Sequence, residues 1–247
     1  MSRGGASGPA GPDLAGRVVL VTGATGGLGR ATALACADAG ATLVLLARHR
    51  GRLERLYDEI AARGGQAWLQ PMDLAGAGVE DHARLAAQLA DGPGRLDGIV
   101  HCAAAFAGMT PLALADPLRF ARELHVNLTA RAWLTRACLP LLEQGTRPAA
   151  LFVMDDPGRM AQAYWCGYGV AQGGQQALLA TWSAELRHSP VRLLGMRPGP
   201  MRTALHARAF AEPLAEAVDP AVRAPAIVSL LGAADPLPSG DIRSFPP

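Results

Sequence analysis

The segment that most limits the fold of this chain is a glycine-rich turn that joins an apolar run to a helical pattern. Residues 18–21 form a short apolar run that is mostly β-branched. TGATGGLG follows at residues 22–29, directly before RATALACADAG. Glycines at such a turn let the backbone approach a ligand closely, and the first amides of the helix attract a phosphate group. A glycine-rich segment can also be an ordinary loop, but its position between a strand and a helix favours a phosphate-binding turn.

The rest of the chain alternates short apolar runs with longer amphipathic segments, which is typical of a parallel sheet whose strands are joined by helices. Strands buried on both faces read as such continuous apolar runs. We predict an α/β, doubly wound Rossmann fold with about seven mostly parallel strands and helices on both faces. It would form a single domain over residues 16–247. The predicted strands are 17–22, 42–47, 66–70, 98–102, 150–154 and 191–196, with a weak last one around Ile242.

The two longest predicted helices cover residues 118–143, broken or bent near Pro140, and residues 164–187, closed by a proline at 190. Residues 1–15 are rich in Gly, Pro and Ala and lack the apolar run of a signal peptide. We predict that they form a disordered tail.

Composition argues against several classes of partner. The 23 basic and 21 acidic residues are spread along the chain, so no basic face predicts a nucleic acid partner. All of the basic residues are arginine, and the sequence contains no lysine. No stretch approaches the roughly 20 apolar residues that span a bilayer. The four cysteines have neither disulfide nor metal-ligand spacing, so we predict buried thiols, no metal and a cytoplasmic protein.

The glycine-rich turn resembles the TGxxxGxG fingerprint of the short-chain dehydrogenase/reductase family, and further matches follow over nearly the whole chain. MDDPGRMAQAYWCGYGVAQGG and MRPGPMRTALHARAFAEP look closest to its YciK-like subgroup. The resemblance implies hydride transfer between a nicotinamide dinucleotide and a carbonyl or alcohol. It implies that the cofactor-binding residues are Gly23, Thr25, Gly27, Leu28, Gly29, Arg48, Asp73, Leu74, Ala103, Pro198, Gly199 and Thr203.

Arg48 bears on the choice of cofactor. The second strand ends in Ala47 and Arg48, without the acidic residue that would bind a ribose 2′-hydroxyl. A guanidinium can instead pair with a 2′-phosphate, which favours NADP(H) over NAD(H). Arg48 could equally be a solvated residue at a helix cap.

The segment after the fourth strand departs from the family. His101-Cys102-Ala103-Ala104 stands where the family has Asn-Asn-Ala-Gly, so that only Ala103 is kept. The Cβ of Ala104 removes the freedom of a glycine, and cofactor binding could be weaker. We interpret His101 as a structural histidine at the strand end.

The resemblance implies that Asn, Ser, Tyr and Lys are the catalytic groups, and this chain keeps two of them. Asn127 and Tyr168 match the Asn and the Tyr, Asp155 stands at the Ser position, and Gln172 stands at the Lys position. Gln172 carries no charge that would stabilise a tyrosinate, and no lysine elsewhere can replace it. A carboxylate near Tyr168 would raise its pKa and repel a developing oxyanion.

Asp155 leaves two interpretations open. It is either a protonated acid with a raised pKa, which donates where Tyr168 cannot, or a solvated carboxylate at a strand end where selection has relaxed.

Two functions therefore remain. The first is an NADP(H)-dependent oxidoreductase with altered proton chemistry and a small hydrophobic carbonyl or alcohol substrate. The second is an inactive protein that senses cofactor or acts as a scaffold. A serine hydrolase is rejected because no GxSxG motif occurs.

The long helices resemble those through which family members form homodimers and homotetramers. The predicted substrate pocket contains Phe106, Met109, Met154, Met160, Trp165 and Leu205.

Overall fold

The computed structural model describes residues 13–234 and 236–245. Its centre is a seven-stranded sheet in the order β3-β2-β1-β4-β5-β6-β7, in which every neighbouring pair is parallel. This confirms the predicted Rossmann fold, and each strand lies within one residue of its predicted bounds at the ends that were given. The strands are β1 (Val18–Thr22), β2 (Thr42–Ala47), β3 (Gln66–Pro71), β4 (Gly98–His101), β5 (Ala149–Val153), β6 (Arg192–Arg197) and β7 (Ile242–Ser244).

Helices cover both faces of the sheet. Val19 and Val21 of β1 pack into one apolar cluster, while Val18 and Leu20 pack into another on the opposite face. This division follows from the alternation of side chains along a strand. The helices are α1 (Gly27–Asp38), α2 (Arg50–Ala62), α3 (Val79–Asp91), α4 (Pro117–Leu124), α5 (Ala130–Glu143), α6 (Pro157–Met160), α7 (Cys166–Glu185) and α8 (Pro220–Gly232).

β3 does not share the burial predicted for the strands. It is the edge strand of the sheet, and its residues alternate between exposed and partly buried. Trp68, at its centre, is 46% exposed. An edge strand pairs with only one neighbour and lies at the margin of the helical layers. The apolar residues of β3 therefore do not indicate a strand that is covered on both faces.

The predicted helix over 118–143 is interrupted, but not at Pro140. The interruption is a π-helical segment, His125–Thr129, and Pro140 lies inside α5. Such segments occur often at functional sites. Here the segment carries Asn127, whose side-chain amide forms hydrogen bonds with the backbone of Ala105, 22 positions earlier in the chain. Tertiary hydrogen bonding, rather than proline, therefore fixes the interruption.

The last residues of the predicted N-terminal tail contact the rest of the domain. Residues 1–12 of the predicted tail lie outside the described residues. Leu14, however, is fully buried, and its N–H donates to the carbonyl oxygen of Ala39 at 2.9 Å. Within residues 13–234 and 236–245, no helix has the length and apolar character needed to cross a membrane.

Candidate functional site

A cavity of about 1070 Å³ opens along the carboxyl ends of the strands. It includes the point where β1 lies between β2 and β4 and the strand order reverses, which is where ligands bind in open α/β sheets. All twelve of the predicted cofactor residues line it, as do Tyr168, Asp155 and Gln172. Asn127 is absent from this lining and is fully buried beside it. The six predicted substrate-pocket residues, Phe106, Met109, Met154, Met160, Trp165 and Leu205, also line this cavity.

The glycine-rich turn packs closely against the start of α1 and against the segment that follows β4. Gly23 has φ +63°, and a Cβ added there would lie 2.7 Å from Cα of Ala103. A Cβ on Gly29 would overlap the carbonyl oxygen of Gly23. α1 begins directly after Gly26 without a side-chain cap, so its first amides are not bound by a capping oxygen. This cradle suits a phosphate group at the helix N-terminus.

Basic and acidic side chains border the cavity beyond the turn. Arg48 is exposed at the end of β2, and its Nε donates to Nε2 of His49 at 3.1 Å. Arg52, in the first turn of α2, also lines the cavity. Asp73 follows β3 and accepts the N–H of Ala75 at 3.1 Å, which shapes the local turn. Leu74 is both part of the core and part of the cavity wall.

The segment after β6 closes the cavity from the opposite side. Gly199 has φ +74°, a conformation that favours glycine. The hydroxyl of Thr203 accepts the N–H of His206 at 3.2 Å, and a Cβ on Gly27 would lie 2.8 Å from Cγ2 of Thr203. The glycine-rich turn and the segment after β6 are thus in close contact.

Tyr168 and Asp155 form a hydrogen-bonded pair in the cavity wall. Asp155 follows β5, Tyr168 lies in the first turn of α7, and the Tyr168 hydroxyl donates to Oδ2 of Asp155 in a short hydrogen bond. Phe106 and Trp165 surround the Tyr168 ring, with ring centroids 5.2 and 5.9 Å away. The chain therefore places the Asp155 carboxyl group in hydrogen-bond contact with the Tyr168 phenol.

Burial dominates the electrostatics of this pair. It raises the pKa of Asp155 and also raises the pKa of Tyr168, to which the negative charge of Asp155 adds a second upward contribution. The Tyr168 hydroxyl donates directly to the Asp155 carboxylate, so the two groups titrate as a unit. The pair consequently holds its first proton tightly and takes up a second one more readily than an ordinary carboxylate would.

Asn127 and Gln172 are turned toward the backbone. The Asn127 amide accepts the N–H of Ala105 at 2.9 Å and donates to its carbonyl oxygen at 2.7 Å. Oε1 of Gln172 accepts the N–H of Asp155 at 2.9 Å and the amide of Gln175 at 3.1 Å. Both residues hold the ends of β4 and β5 in place, and Gln172 brings no charge to the site.

Arg131 is a site residue that the sequence analysis missed. It is one of the residues that line the cavity, although it is only 2% exposed. Burial lowers its pKa to about 10, which still leaves it protonated at neutral pH. Its positive charge lowers the pKa of both Tyr168 and Asp155, so the pair has a cation nearby. An arginine on the buried face of an apolar helix, three and four residues before Leu134 and Thr135, was the signal in the sequence.

His101 has the environment of a structural residue. It is fully buried, its Nε2 lies 2.8 Å from the hydroxyl of Thr135, and its ring packs on Phe152. Burial, followed by the charge of Arg131, holds its pKa well below the usual value. His101 is therefore neutral at physiological pH and is not among the residues that line the cavity.

The family model, the curated relatives and the solved structures that this chain matches agree with one another. The family model for short chain dehydrogenase matches residues 17–213. The uncharacterized oxidoreductase YciK of Escherichia coli K12 is 31% identical over 198 residues, which cover 78% of this chain and 77% of YciK. The solved structure of YciK has a TM-score of 0.90 at 29% identity, and covers 97% of this chain and 99% of that one.

Two further solved structures extend the comparison. A short chain dehydrogenase from Pseudomonas syringae is 34% identical, with a TM-score of 0.88 and coverage of 96% of this chain and 98% of that one. Another, from Escherichia coli CFT073, was crystallised in complex with NADPH. It is 30% identical, has a TM-score of 0.89, and covers 97% of this chain and all of that one.

Proposed function

Because the chain belongs to the short-chain dehydrogenase/reductase family, we propose that it is an NADP(H)-dependent oxidoreductase whose proton-transfer group is the Tyr168–Asp155 pair. The observation that carries this proposal is the hydrogen bond between these two side chains inside the cavity that the glycine-rich turn borders. In the proposed site, Tyr168 and Asn127 stand at the family's Tyr and Asn positions, and Asp155 and Gln172 stand at its Ser and Lys positions.

The residues around the cavity fit an NADP(H) molecule. The uncapped start of α1 and the glycine cradle suit its pyrophosphate, and Arg48 with Arg52 suits a 2′-phosphate. The NADPH complex of the Escherichia coli CFT073 relative supports this choice. We assign adenine contacts to Asp73 and Leu74. The ribose and nicotinamide contacts go to Ala103, Pro198, Gly199 and Thr203.

The bound nicotinamide would supply or accept the hydride. The chain's own part is to exchange a proton at the substrate oxygen. For an alcohol, the singly protonated pair accepts the hydroxyl proton as the substrate loses its hydride. For a carbonyl, the doubly protonated pair donates a proton to the oxygen as the carbon gains the hydride. Asp155 thus acts as the acid that the sequence analysis leaves as one of its two interpretations.

The substrate side of the cavity is apolar and aromatic. Phe106, Met160, Trp165 and Tyr168 form a buried cluster, against which Phe210 packs. The Trp165 and Phe210 rings lie with centroids 6.3 Å apart. Such walls favour a small hydrophobic carbonyl or alcohol compound, with its oxygen directed at the pair.

The direct test is a fluorescence titration with NADPH and NADH, followed by a search for oxidation of NADPH by a panel of hydrophobic carbonyl compounds and quinones. We expect NADPH binding and turnover with at least one compound. Binding without turnover on any of them would contradict catalysis and favour the cofactor-sensing or scaffold function. No binding at all would contradict both.

Arg48 offers a test of cofactor choice. We expect Arg48→Gln to weaken NADPH binding roughly 10-fold to 100-fold, because a charge-assisted bond to the 2′-phosphate is lost. Binding of NADH, which lacks that phosphate, should change little. The matched control is Arg50→Gln, which removes an arginine that is paired with Glu54 on the exposed surface of α2. Equal losses for both cofactors would contradict a role for Arg48 in phosphate recognition.

We also propose a homodimer or homotetramer that packs through α5 and α7. Trp133 on α5 is 38% exposed and Val170 on α7 is 58% exposed, so apolar surface on both helices faces outward. Size-exclusion chromatography with light scattering should give a mass of two or four chains. A single monomeric species at micromolar concentration would contradict this assembly.

A further inference from the structure

Arg131 is held at the point where β4, β5 and α7 meet. One guanidinium nitrogen donates to the carbonyl oxygen of Val153 and to Oε1 of Gln175, and the other donates to the carbonyl oxygen of Ala103, each at 2.6 Å. Val153 is the last residue of β5, Ala103 lies two residues after the end of β4, and both line the cavity. Three neutral oxygens therefore fix the orientation of this buried cation.

These contacts do not neutralise its charge. Among the ion pairs of residues 13–234 and 236–245, none joins Arg131 to a carboxylate, and its Nε has no hydrogen-bond partner there. A buried cation is costly unless an anion lies nearby. The anion that the structure provides is the singly protonated Tyr168–Asp155 pair, both members of which interact electrostatically with Arg131.

A chain of hydrogen bonds joins the cation to the backbone of Asp155, one member of this pair. Arg131 donates to Gln175, the Gln175 amide donates to Gln172, and the same Gln172 oxygen accepts the N–H of Asp155. A neutral side chain at position 172 is compatible with a guanidinium two hydrogen bonds away, whereas a second buried cation there would repel it. Arg131 and Gln172 are therefore complementary features of one site.

We propose that Arg131 is a positioning residue that supplies the positive charge by which the Tyr168–Asp155 pair is held in its singly protonated, anionic form. The assignment rests on the proposed function, because it gives that pair its proton-exchange role. In this chain the charge beside the tyrosine comes from α5, while the facing position on α7 is a glutamine.

The electrostatic consequence has a definite sign. The charged or titratable groups that face the pair are Arg131 on α5, Glu123 on α4, Arg159 on α6 and His206 in the turn after Leu205. Removal of the Arg131 charge destabilises the anionic form, so the second proton would stay on the pair up to higher pH. For an opposite charge at this range we expect an upward shift of roughly one to two pH units.

The test measures the protonation of Asp155 in the protein without cofactor or substrate. Infrared difference spectra over a pH titration report the protonated carboxyl, and subtraction of Asp155→Asn spectra assigns it. We expect Arg131→Gln to raise the midpoint by roughly one to two pH units. Arg136→Gln, an exposed arginine on the same helix, should leave it unchanged. An unmoved midpoint in Arg131→Gln would overturn the proposal.

A relocated charge provides the second arm. We expect Arg131→Met/Gln172→Lys to restore the low midpoint, and to fold even if Arg131→Met alone does not. The matched control is Arg131→Met/Gln172→Met, which keeps the added apolar volume without the charge. Equal midpoints and equal thermal stability in these two double variants would overturn the proposal. Since no turnover is measured, an inactive wild type would reject the proposed function without affecting this readout.

Discussion

Replacement of Tyr168 by phenylalanine is expected to lower kcat/KM for carbonyl reduction by roughly 10²-fold to 10⁴-fold, with little change in NADPH affinity. The phenol is buried, and its hydroxyl forms the hydrogen bond that joins it to Asp155. Phenylalanine fills the same space between Phe106 and Trp165, so the aromatic packing survives. What disappears is one half of the proton-transfer pair.

The measurement is single-turnover oxidation of bound NADPH by the compound that the substrate panel identifies. Tyr57→Phe is the matched control, since Tyr57 is 41% exposed on α2 and lies outside the cavity lining. If the Tyr168→Phe variant keeps more than about a tenth of the wild-type rate, far above the residual activity expected from loss of a proton donor, then proton transfer does not need the phenol. The proposed pair would then be wrong.

The backbone of this protein could be predicted from the sequence because its signals are local. Apolar runs define β1 and β2, and the glycine-rich turn fixes where α1 begins. Parallel strands joined by helices leave few alternative topologies, so the order of the sheet follows from the pattern. The partial exposure of β3 was not predictable in this way, because it depends on which distant segments cover its two faces.

The chemistry of the site depends on contacts between distant segments, and these were only partly visible. The spacing of Asp155 and Tyr168 along the chain indicated that they would meet, but not that the phenol would donate to the carboxyl. Arg131 was missed because helical spacing relates position 172 to Tyr168 but does not indicate which side chain from another helix lies beside them. The charge comes instead from a neighbouring helix, 44 positions before the Gln175 that it contacts. A search for charged residues on the apolar face of α5 would have found it.

Asp155→Asn is the second change for which we expect a large effect, and its signature is the pH dependence. Burial raises the pKa of Asp155, so the pair gains its second proton as the pH falls toward that raised pKa. In the wild type, reduction should therefore accelerate as the pH falls through this midpoint. Alcohol oxidation, which needs the singly protonated pair as base, should accelerate as the pH rises through it.

In the Asp155→Asn variant the amide oxygen can still accept the Tyr168 hydroxyl, but it cannot take up a proton in this pH range. We expect oxidation at neutral pH to fall by roughly 10²-fold or more and the common midpoint to vanish from both directions. Asp156→Asn is the control, because Asp156 caps α6 and lies near Arg197 without contacting Tyr168. A midpoint that survives in Asp155→Asn would assign the titration to another group and remove Asp155 from the proton path, since no other carboxyl accepts the hydroxyl of Tyr168 among the described residues.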